Sequence, residues 1–257
     1  MTNNFETRLD SLDTTLFQHV SSQMPEEDQR SLLALHAAVK ARHPEFVYLE
    51  IGSYMGGSLQ SFVVDSGCRK IISIDPRLGE YPDARGLHPY HENSTARMLE
   101  GLSKIPGADP HKIQSIEAGT DTIQPEAIQP KPHFCFIDGE HTDAAVLRDA
   151  RFCLSLVHPD GCIAFHDANI VYGALDALVK ELTQSRRSFR AYVLPETIFV
   201  IDLGTASCGD TEPVVSRRKD NYKAYLGSLM RNDWYRYAYN LAIYRTLRKI
   251  RRLFPRF

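Results

Sequence analysis

The sequence has few features of secreted, membrane-spanning or metal–thiolate proteins. No apolar run approaches the roughly 18 residues of a membrane span, and the N-terminus, MTNNFETRLDSL, lacks the basic-then-apolar pattern of a secretion signal. The five cysteines have no metal-type spacing, and Cys135, Cys153 and Cys162 lie in apolar runs. These absences predict a cytoplasmic protein with buried free thiols in a reducing compartment.

The sequence also lacks internal repeats, low-complexity segments and the Gly-x-Gly-x-x-Gly fingerprint of dinucleotide-binding proteins. Its 257 residues are 43% hydrophobic, which permits a full core for one α/β domain with appendages. The net charge of −2 hides an asymmetry, because residues 217–257 contain 12 Lys and Arg against 2 acidic residues, whereas residues 1–216 contain 18 against 30. A basic tail on an acidic body indicates a partner for the tail.

Short apolar runs alternate with helical patterns along the chain. Residues 26–42, 142–157 and 171–184 have apolar side chains at helical spacing. Strands that alternate with helices form a mostly parallel sheet with helices on both faces, so the sequence predicts an α/β, Rossmann-like fold. The predicted strands number seven, at 46–51, 70–75, 112–118, 133–138, 161–166, 190–194 and 197–202.

Residues 47–58, VYLEIGSYMGGS, read as a buried strand that ends at an acid and continues into a glycine loop. A second apolar run ends at Asp75. Ligands of open α/β sheets bind beyond the carboxyl ends of the strands, so Asp75 is placed to accept hydrogen bonds from a ribose diol. A pyrophosphate needs converging N–H groups at a helix start, whereas a cationic ligand without phosphate tolerates an acid such as Glu50.

Three segments, LEIGSYMGGS, SIDP and residues 134–168, carry a family resemblance. Through them, residues 45–202 resemble the class I S-adenosylmethionine-dependent methyltransferases. The resemblance is greatest to the metal-dependent macrocin and mycinamicin sugar O-methyltransferases, with the cephalosporin hydroxylase-like proteins nearby. It implies an antiparallel hairpin for the last two strands and S-adenosylmethionine as the cofactor. The residues expected to bind the cofactor are Glu50, Gly52, Ser53, Tyr54, Gly56, Ser58, Asp75, Gly119, Thr120 and Asp138.

Two acids end the fourth and fifth predicted strands. Adjacent strands lie about 5 Å apart, so Asp138 and Asp167 can reach one divalent cation. The resemblance implies a metal held at the positions of Asp138, His166 and Asp167, although the family has Glu where this chain has His166. An imidazole suits Mn²⁺ or Fe²⁺ better than Mg²⁺. The alternatives for His166 are a metal ligand, a substrate contact, or a weakened or absent metal site.

The resemblance also implies that His141, in the motif IDGEHT, is a general base that acts beside Asp138. An imidazole that titrates near neutrality suits proton abstraction. The alternative is a helix N-terminal residue that only bonds the loop. The long connection 76–93 is interpreted either as a lid over the site or as a surface excursion, and His88, Tyr90 and His91 within it are expected on the substrate side.

The chain is predicted to divide into an N-terminal helical cap (1–44), a methyltransferase domain (45–205) and a basic helical tail (206–257). Residues 241–254 repeat apolar side chains at helical spacing among basic ones. Such helices often lie on anionic membranes, so one interpretation is peripheral membrane contact. The other is a helix docked on the body or on a partner subunit of a homo-oligomer, and nucleic acid is disfavoured. Liposome co-sedimentation would separate these interpretations.

Together, the residues and the resemblance predict an O-methyltransferase that uses S-adenosylmethionine and is assisted by Mg²⁺, or by Mn²⁺ or Fe²⁺. The expected acceptor is a small molecule or glycan, namely a sugar hydroxyl of a glycosylated natural product or a polysaccharide precursor. One alternative is a nicotinamide-dependent oxidoreductase, which the missing fingerprint disfavours. The other is a non-catalytic cofactor-binding or membrane-associated protein, which a site degraded at His166 would favour.

Overall fold

The computed structural model describes residues 2–83, 86–205 and 207–240. The chain forms two compact units, Met1–Asp220 and Asn221–Phe257. The predicted boundaries after residues 44 and 205 both fall inside the first unit. The N-terminal helices therefore share one compact body with the sheet that follows them.

Every predicted strand is present, and each begins or ends within a few residues of its expected position. The strands are β1 (Phe46–Ile51), β2 (Cys68–Ile74), β3 (Glu80–Asp83), β4 (Gly86–Pro89), β5 (Ile113–Ile116), β6 (Phe134–Ile137), β7 (Cys162–Phe165), β8 (Phe189–Val193) and β9 (Phe199–Leu203). The helices are α1 (Thr2–Asp10), α2 (Glu26–Arg42), α3 (Gln60–Val64), α4 (Thr95–Ser103), α5 (Asp143–Leu156), α6 (Tyr172–Gln184), α7 (Val214–Arg217) and α8 (Tyr222–Asn240).

Seven strands form one sheet in the order β5-β2-β1-β6-β7-β9-β8. The neighbours from β5 to β7 are parallel, whereas β9 is antiparallel to both β7 and β8. This arrangement confirms the predicted Rossmann-like fold with a closing antiparallel hairpin. It also places the carboxyl ends of β2, β1, β6 and β7 side by side at one edge, where ligands of such sheets bind.

Both faces of the sheet are covered. Successive residues of a strand point to opposite sides of a sheet, so neighbouring residues of β1 are buried on different faces. Tyr48 of β1 stacks on Phe62 of α3, with ring centroids 3.8 Å apart, in a cluster that includes the apolar face of α2. Leu49, the next residue of β1, is also fully buried and lies outside that cluster, facing the other side of the sheet. On that side Cys153 of α5 contacts Cys135 of β6. All five cysteines are buried and free, as predicted for the three in apolar runs.

The connection 76–93 contains a hairpin that the sequence did not reveal. Strands β3 and β4 pair antiparallel, with Tyr81 opposite His88, and Tyr90 N–H donates to the carbonyl of Gly79 at 2.7 Å. Proline is tolerated in strands that lie outside a central ladder, and this small sheet is separate from the main one. The prolines and glycines of the segment are therefore typical of a loop, but the structure forms a hairpin there, beside the site.

One buried side chain fastens the N-terminal segment to the sheet edge. The Gln60 side chain is fully buried, accepts from the backbone N–H groups of His19 and Val20 at 2.9 Å, and donates to the carbonyl of Phe17 at 2.9 Å. It also donates to the Gly57 carbonyl in the glycine loop. These bonds hold the residues just before α2 next to the loop that follows β1.

The second unit is described as far as residue 240 and contains α8. Its Trp234, Tyr235 and Tyr237 side chains are exposed. In the part of the chain that the structure describes, no helix is both long enough and apolar enough to cross a bilayer. The basic helix predicted at 241–254 lies outside the described residues, and its contact with a membrane stays a prediction.

Candidate active site

The predicted site residues meet at the carboxyl edge of the sheet. Gly52 follows β1, Asp75 follows β2, Asp138 follows β6, and His166 and Asp167 follow β7. These four strands are consecutive neighbours in the sheet, so their ends bring together residues that are far apart in sequence. Two cavities of about 300 and 280 Å³ open at this edge.

The turn after β1 needs glycine at two positions. Gly52 has a φ of +89°, and a Cβ there would lie 2.2 Å from the carbonyl oxygen of Asp138. Gly56 has a φ of +80°, and a Cβ there would meet the Met98 and Leu102 side chains at 3.0 Å. A side chain at Gly52 would therefore push the end of β6 away from the loop. The glycines hold Asp138 close to the β1 turn as well as shaping the loop.

The smaller cavity, called here the β2-side cavity, lies along the ends of β1 and β2. Six of the ten predicted cofactor residues line it. They are Gly52, Tyr54, Asp75, Gly119, Thr120 and Asp138. Thr120 donates to Asp149, and Arg148 Nε donates to Asp149 at 3.0 Å, which ties the loop after β5 to α5. The β2-side cavity therefore brings together most of the predicted cofactor residues.

Asp75 is buried in the wall of the β2-side cavity and already accepts several hydrogen bonds. Its carboxylate receives the backbone N–H groups of Tyr54 and Arg77, at 2.8 and 2.7 Å, and the Tyr81 hydroxyl at 3.0 Å. Burial and the Asp75 charge raise the pKa of Tyr81, which keeps that hydroxyl a donor. A ribose diol would have to share Asp75 with Tyr81 or displace it.

The larger cavity, called here the β7-side cavity, lies on the other side of Gly52, Tyr54 and Asp138. It shares these three residues with the β2-side cavity, together with Tyr81 and Tyr90 of the hairpin. Of the three residues predicted on the substrate side, His88 and Tyr90 line this cavity, whereas His91 is exposed and is not among the lining residues. Residues 21–25, which precede α2, form its outer wall. No sequence pattern indicated that contribution.

Four polar side chains converge where the two cavities meet. His141 Nε2 lies 3.2 Å from Asp138 Oδ1 and 3.7 Å from Asp167 Oδ2. His166 Nδ1 lies 2.9 Å from Asp138 Oδ1 and 3.9 Å from Asp167 Oδ1. Ligand atoms of Asp138, His141 and His166 all fall within 4.8 Å of one another. His141, which was expected as the base, therefore stands among the residues expected to bind metal.

The charges in this cluster stabilise one another. Burial by itself would raise the pKa of Asp138, but the charge of His166 and a hydrogen bond from His141 hold it well below its usual range. Burial would lower the pKa of His166, but Asp138 and Asp28 raise it well above its usual range. Asp138 and His166 therefore favour each other's charged forms, and the two carboxylates would also favour a cation at this point.

The donor set is suited to a divalent cation. A carboxylate and two imidazoles with a second carboxylate beside them match the preferences of Mn²⁺ or Fe²⁺ better than those of Mg²⁺. His166 is 8% exposed, and its Nδ1 has no aligned hydrogen-bond partner among the described residues despite its closeness to Asp138. A metal ion beside Asp138 would bind this nitrogen with better alignment than the present contact. The residues present therefore fit a metal, with imidazole in place of the family's glutamate.

Asp167 and Tyr54 both have backbone conformations that residues other than glycine seldom adopt. Asp167 has a φ of +51°, and Tyr54 has a φ of +42°. Such conformations cost on the order of 1–3 kcal/mol each and concentrate at functional sites. The two strained residues lie on opposite sides of Asp138, and both line the β7-side cavity.

Four predicted cofactor residues lie elsewhere. Ser53 and Ser58 line only the β7-side cavity, and Glu50 and Gly56 are not among the lining residues of either cavity. The Glu50 carboxylate is fully buried and accepts from the Tyr48 hydroxyl at 2.5 Å and the Ser58 hydroxyl at 2.6 Å. Glu50 thus supports the glycine loop from behind, which differs from the expected contact with the methionine end of a cofactor.

Replacement of Glu50 by Gln should change how stability depends on pH. Burial raises the pKa of Glu50 from 4.5 to about 8. Between these pH values the folded state retains a proton that the unfolded state has lost, so stability falls as the pH rises. Glu50→Gln removes this loss, and the cofactor-free variant should exceed the wild type at pH 8 by on the order of 3 kcal/mol. Urea unfolding from pH 5 to pH 8 measures the difference, and parallel curves for the two proteins would contradict it.

Comparison with known proteins agrees with the fold. A family model described as a methyltransferase domain matches residues 49–168. No curated protein matches the sequence significantly. The three segments that carried the resemblance all lie within or directly beside the matched range.

Solved structures of methyltransferases share the fold at low sequence identity. The O-methyltransferase NovP is 11% identical, with 79% of this chain and 99% of that chain covered and a TM-score of 0.57. MycE, a methyltransferase of the mycinamycin pathway solved with Mg and S-adenosylhomocysteine, is 15% identical, with 80% and 57% covered and a TM-score of 0.51. CalS11, a calicheamicin methyltransferase, is 17% identical, with 79% and 93% covered and a TM-score of 0.50.

Residues 49–168 match the methyltransferase domain, and the strand order and the two cavities at the carboxyl edge agree with the fold of class I S-adenosylmethionine-dependent methyltransferases. The chain therefore contains a methyltransferase domain. The missing dinucleotide fingerprint and the domain match together set aside the oxidoreductase interpretation.

Proposed function

We propose that this methyltransferase transfers a methyl group to a sugar hydroxyl with the assistance of a divalent cation. The observation that carries the proposal is the convergence of Asp138, His141, His166 and Asp167 at the border between the two cavities. Methyl transfer to oxygen needs an activated hydroxyl beside the cofactor. The names of the solved relatives, an O-methyltransferase and a methyltransferase solved with Mg, support this choice.

In this proposal the β2-side cavity holds S-adenosylmethionine, which supplies a methyl group on a sulfonium centre. Gly52 would lie at the methionine end, Asp75 would accept from the ribose hydroxyls, and Gly119 and Thr120 would border the adenine. Glu50 would act from behind the loop, as its burial indicates. Asp138 lines both cavities and would stand where the methyl group passes from one to the other.

The β7-side cavity would hold the acceptor. Its wall combines small polar residues at 21–23 with the aromatic rings of Tyr54, Tyr81 and Tyr90. Hydroxyl-rich ligands such as sugars use both kinds of surface, since their hydroxyl groups need hydrogen-bond partners and their apolar faces pack on aromatic rings. A small glycoside or an activated sugar is therefore the favoured class of acceptor.

A divalent cation at this site would lower the pKa of a bound hydroxyl and make it nucleophilic at neutral pH. Asp138, His166 and Asp167 would hold the ion. His141 would take the proton, because its Nε2 lies within 4 Å of both carboxylates and these stabilise the imidazolium that forms. The metal and the base would thus act on the same hydroxyl from neighbouring positions.

Replacement of His141 by Ala tests whether this residue is the base or a metal ligand. As the base, its loss should lower kcat by about 10²–10⁴-fold and leave the dissociation constants for S-adenosylmethionine and Mn²⁺ nearly unchanged. The assay is methyl transfer to a panel of sugar acceptors, and both dissociation constants come from calorimetry. A comparable loss of Mn²⁺ affinity would instead make His141 a ligand.

The same assay tests the proposed function as a whole. Transfer by the wild type to at least one sugar acceptor should be lost with a chelator and restored by Mn²⁺ or Mg²⁺. Transfer that persists with the chelator would remove the metal from the proposal. Tight cofactor binding without transfer to any sugar hydroxyl would instead favour a protein that binds the cofactor without this catalysis.

A further inference from the structure

A buried acid of α2 contacts the cluster at Asp138 from outside the matched domain, which begins at residue 49. Asp28, in the first turn of α2, is fully buried, and its Oδ2 lies 3.2 Å from His166 Nε2. Acids are common in first helical turns because they favour the helix dipole, so the sequence did not mark this one as part of a site. Its burial and its partner, 138 residues away in sequence, indicate a different role.

Asp28 is held in one orientation by the turn between β8 and β9 on its other side. The Thr197 backbone N–H donates to its Oδ1 at 3.1 Å, and the Thr197 hydroxyl donates to its Oδ2 at 2.7 Å. With both oxygens fixed by donors, Oδ2 is left to accept from the ring nitrogen of His166. A carboxylate that only accepts hydrogen bonds requires that Nε2 carry a proton.

That requirement decides which nitrogen of His166 faces the site. With the proton held on Nε2, Nδ1 is the nitrogen that can offer a lone pair. Nδ1 lies 2.9 Å from Asp138 Oδ1 and has no aligned hydrogen-bond partner among the described residues. Histidine ligands in metal sites commonly donate their other N–H to a carboxylate in this way, which fixes the ring and its tautomer.

We propose that Asp28 is a positioning residue that holds a proton on His166 Nε2 and thereby presents Nδ1 as the ligand to a divalent cation at Asp138. The inference rests on the metal site of the proposed function and adds a residue from the N-terminal helix to it. It also gives α2 a role in the site that packing alone does not. The substitution of the family's glutamate by His166 is then matched by an acid behind the ring.

The Asp28→Asn variant tests the proposal, because an amide NH₂ group beside Nε2 donates a hydrogen bond and so favours an Nε2 without a proton. If its oxygen accepts from the Thr197 N–H, its NH₂ group faces Nε2 and favours the tautomer with the proton on Nδ1. Mn²⁺ binding by the full chain, without cofactor or acceptor, is measured from the paramagnetic resonance signal of the free ion. Asp28→Asn should bind Mn²⁺ about 10–100-fold more weakly than the wild type.

Glu27→Gln is the matched control, since it neutralises the neighbouring acid in the same helical turn. Glu27 is partly exposed and pairs with Arg30 and Arg217, away from His166. The control should bind Mn²⁺ as tightly as the wild type. Equal Mn²⁺ affinity of Asp28→Asn and the wild type would overturn the proposal, as would equal weakening by both variants.

A second measurement needs no substitution at Asp28. In the Mg²⁺-loaded wild type, the ¹⁵N resonances of His166, assigned through the His166→Gln variant, should show the proton on Nε2. A proton on Nδ1 in that state would overturn the proposal. Methyl transfer by the same preparations reports on the proposed function separately, because metal-dependent transfer with unchanged affinity in Asp28→Asn would leave that function intact and remove only Asp28.

Discussion

Asp138→Asn should lower kcat/KM for methyl transfer by about 10³-fold or more and leave the protein folded. Asp138 is the residue that lines both cavities and lies within 3.2 Å of both His141 and His166. Asparagine keeps the volume but removes the negative charge that a cation and an imidazolium would both require. Burial opposes the negative charge of Asp138, and His141 and His166 stabilise it. A neutral side chain at this position would lose both of these favourable interactions.

The size of the effect follows from the number of roles that Asp138 combines. In the proposed mechanism it holds the metal, stabilises the protonated His141 and borders the cofactor. The measurements are steady-state kinetics with a sugar acceptor, and Mn²⁺ and S-adenosylmethionine titrations on the same preparation. Mn²⁺ affinity should fall together with kcat, whereas the cofactor should still bind.

A matched control comes from an acid outside the site. Asp109 is exposed, caps a short helical turn and accepts from the His111 backbone N–H, a role that asparagine can fill. Asp109→Asn should retain wild-type kinetics and metal affinity. If Asp138→Asn also retained them, neither the metal site nor the proposed role of His141 would survive.

Strand ends were the predictable part of the site, and the physical reason is the sheet itself. An apolar run that stops at an acid places that acid at the carboxyl edge, and parallel pairing then brings Asp75, Asp138 and Asp167 to one side. Glycine at position 52 was likewise readable, because a loop after a strand needs it. Position therefore followed from local sequence for these residues, and so did the fold.

Residues held by long-range contacts could not be read in the same way. Asp28 looks like an ordinary acid at a helix start, and only the packing of α2 against the end of β7 brings it to His166. Glu50 shows the reverse case. Its place beside the glycine loop predicted a contact with the cofactor, but in the structure its two carboxylate oxygens accept from the Tyr48 and Ser58 hydroxyls. The alternation of side chains along β1 explains why Tyr48 and Glu50 point to the same face of the sheet. No local sequence pattern shows that the Tyr48 hydroxyl donates to Glu50.

The hairpin beside the site illustrates a third kind of limit. Prolines 82 and 89 argue against strands in a central sheet, but β3 and β4 pair only with each other and place Tyr81 against Asp75. Their length suggested function, since long connections often carry binding residues. The sequence therefore indicated that the segment matters without indicating its structure.

Asp65→Ala should produce the largest loss of stability, on the order of 3–5 kcal/mol, because it breaks a buried ion pair by removing one partner. The fully buried carboxylate lies 2.6 Å from Lys40 Nζ and 2.8 Å from His36 Nε2, and it accepts from the Gly67 backbone N–H at 2.8 Å. Burial lowers the pKa of His36, so its ring is neutral and donates, and Lys40 balances the charge. The change would leave a buried imidazole N–H without its acceptor and would leave Lys40 with Glu6 as its remaining carboxylate partner.

Glu6→Gln is the matched control for this loss, because Glu6 is the other carboxylate that pairs with Lys40, at 2.6 Å, but is nearly half exposed. Exposed ion pairs contribute about 1 kcal/mol or less, so the control should unfold close to the wild-type urea midpoint. The Asp65→Ala midpoint should be far lower, and the Mn²⁺ affinity of the remaining folded protein should not change, since His36 and Asp65 stand apart from the cluster at Asp138. Similar midpoints for the two variants would show that the buried pair stabilises the fold no more than its exposed neighbour does.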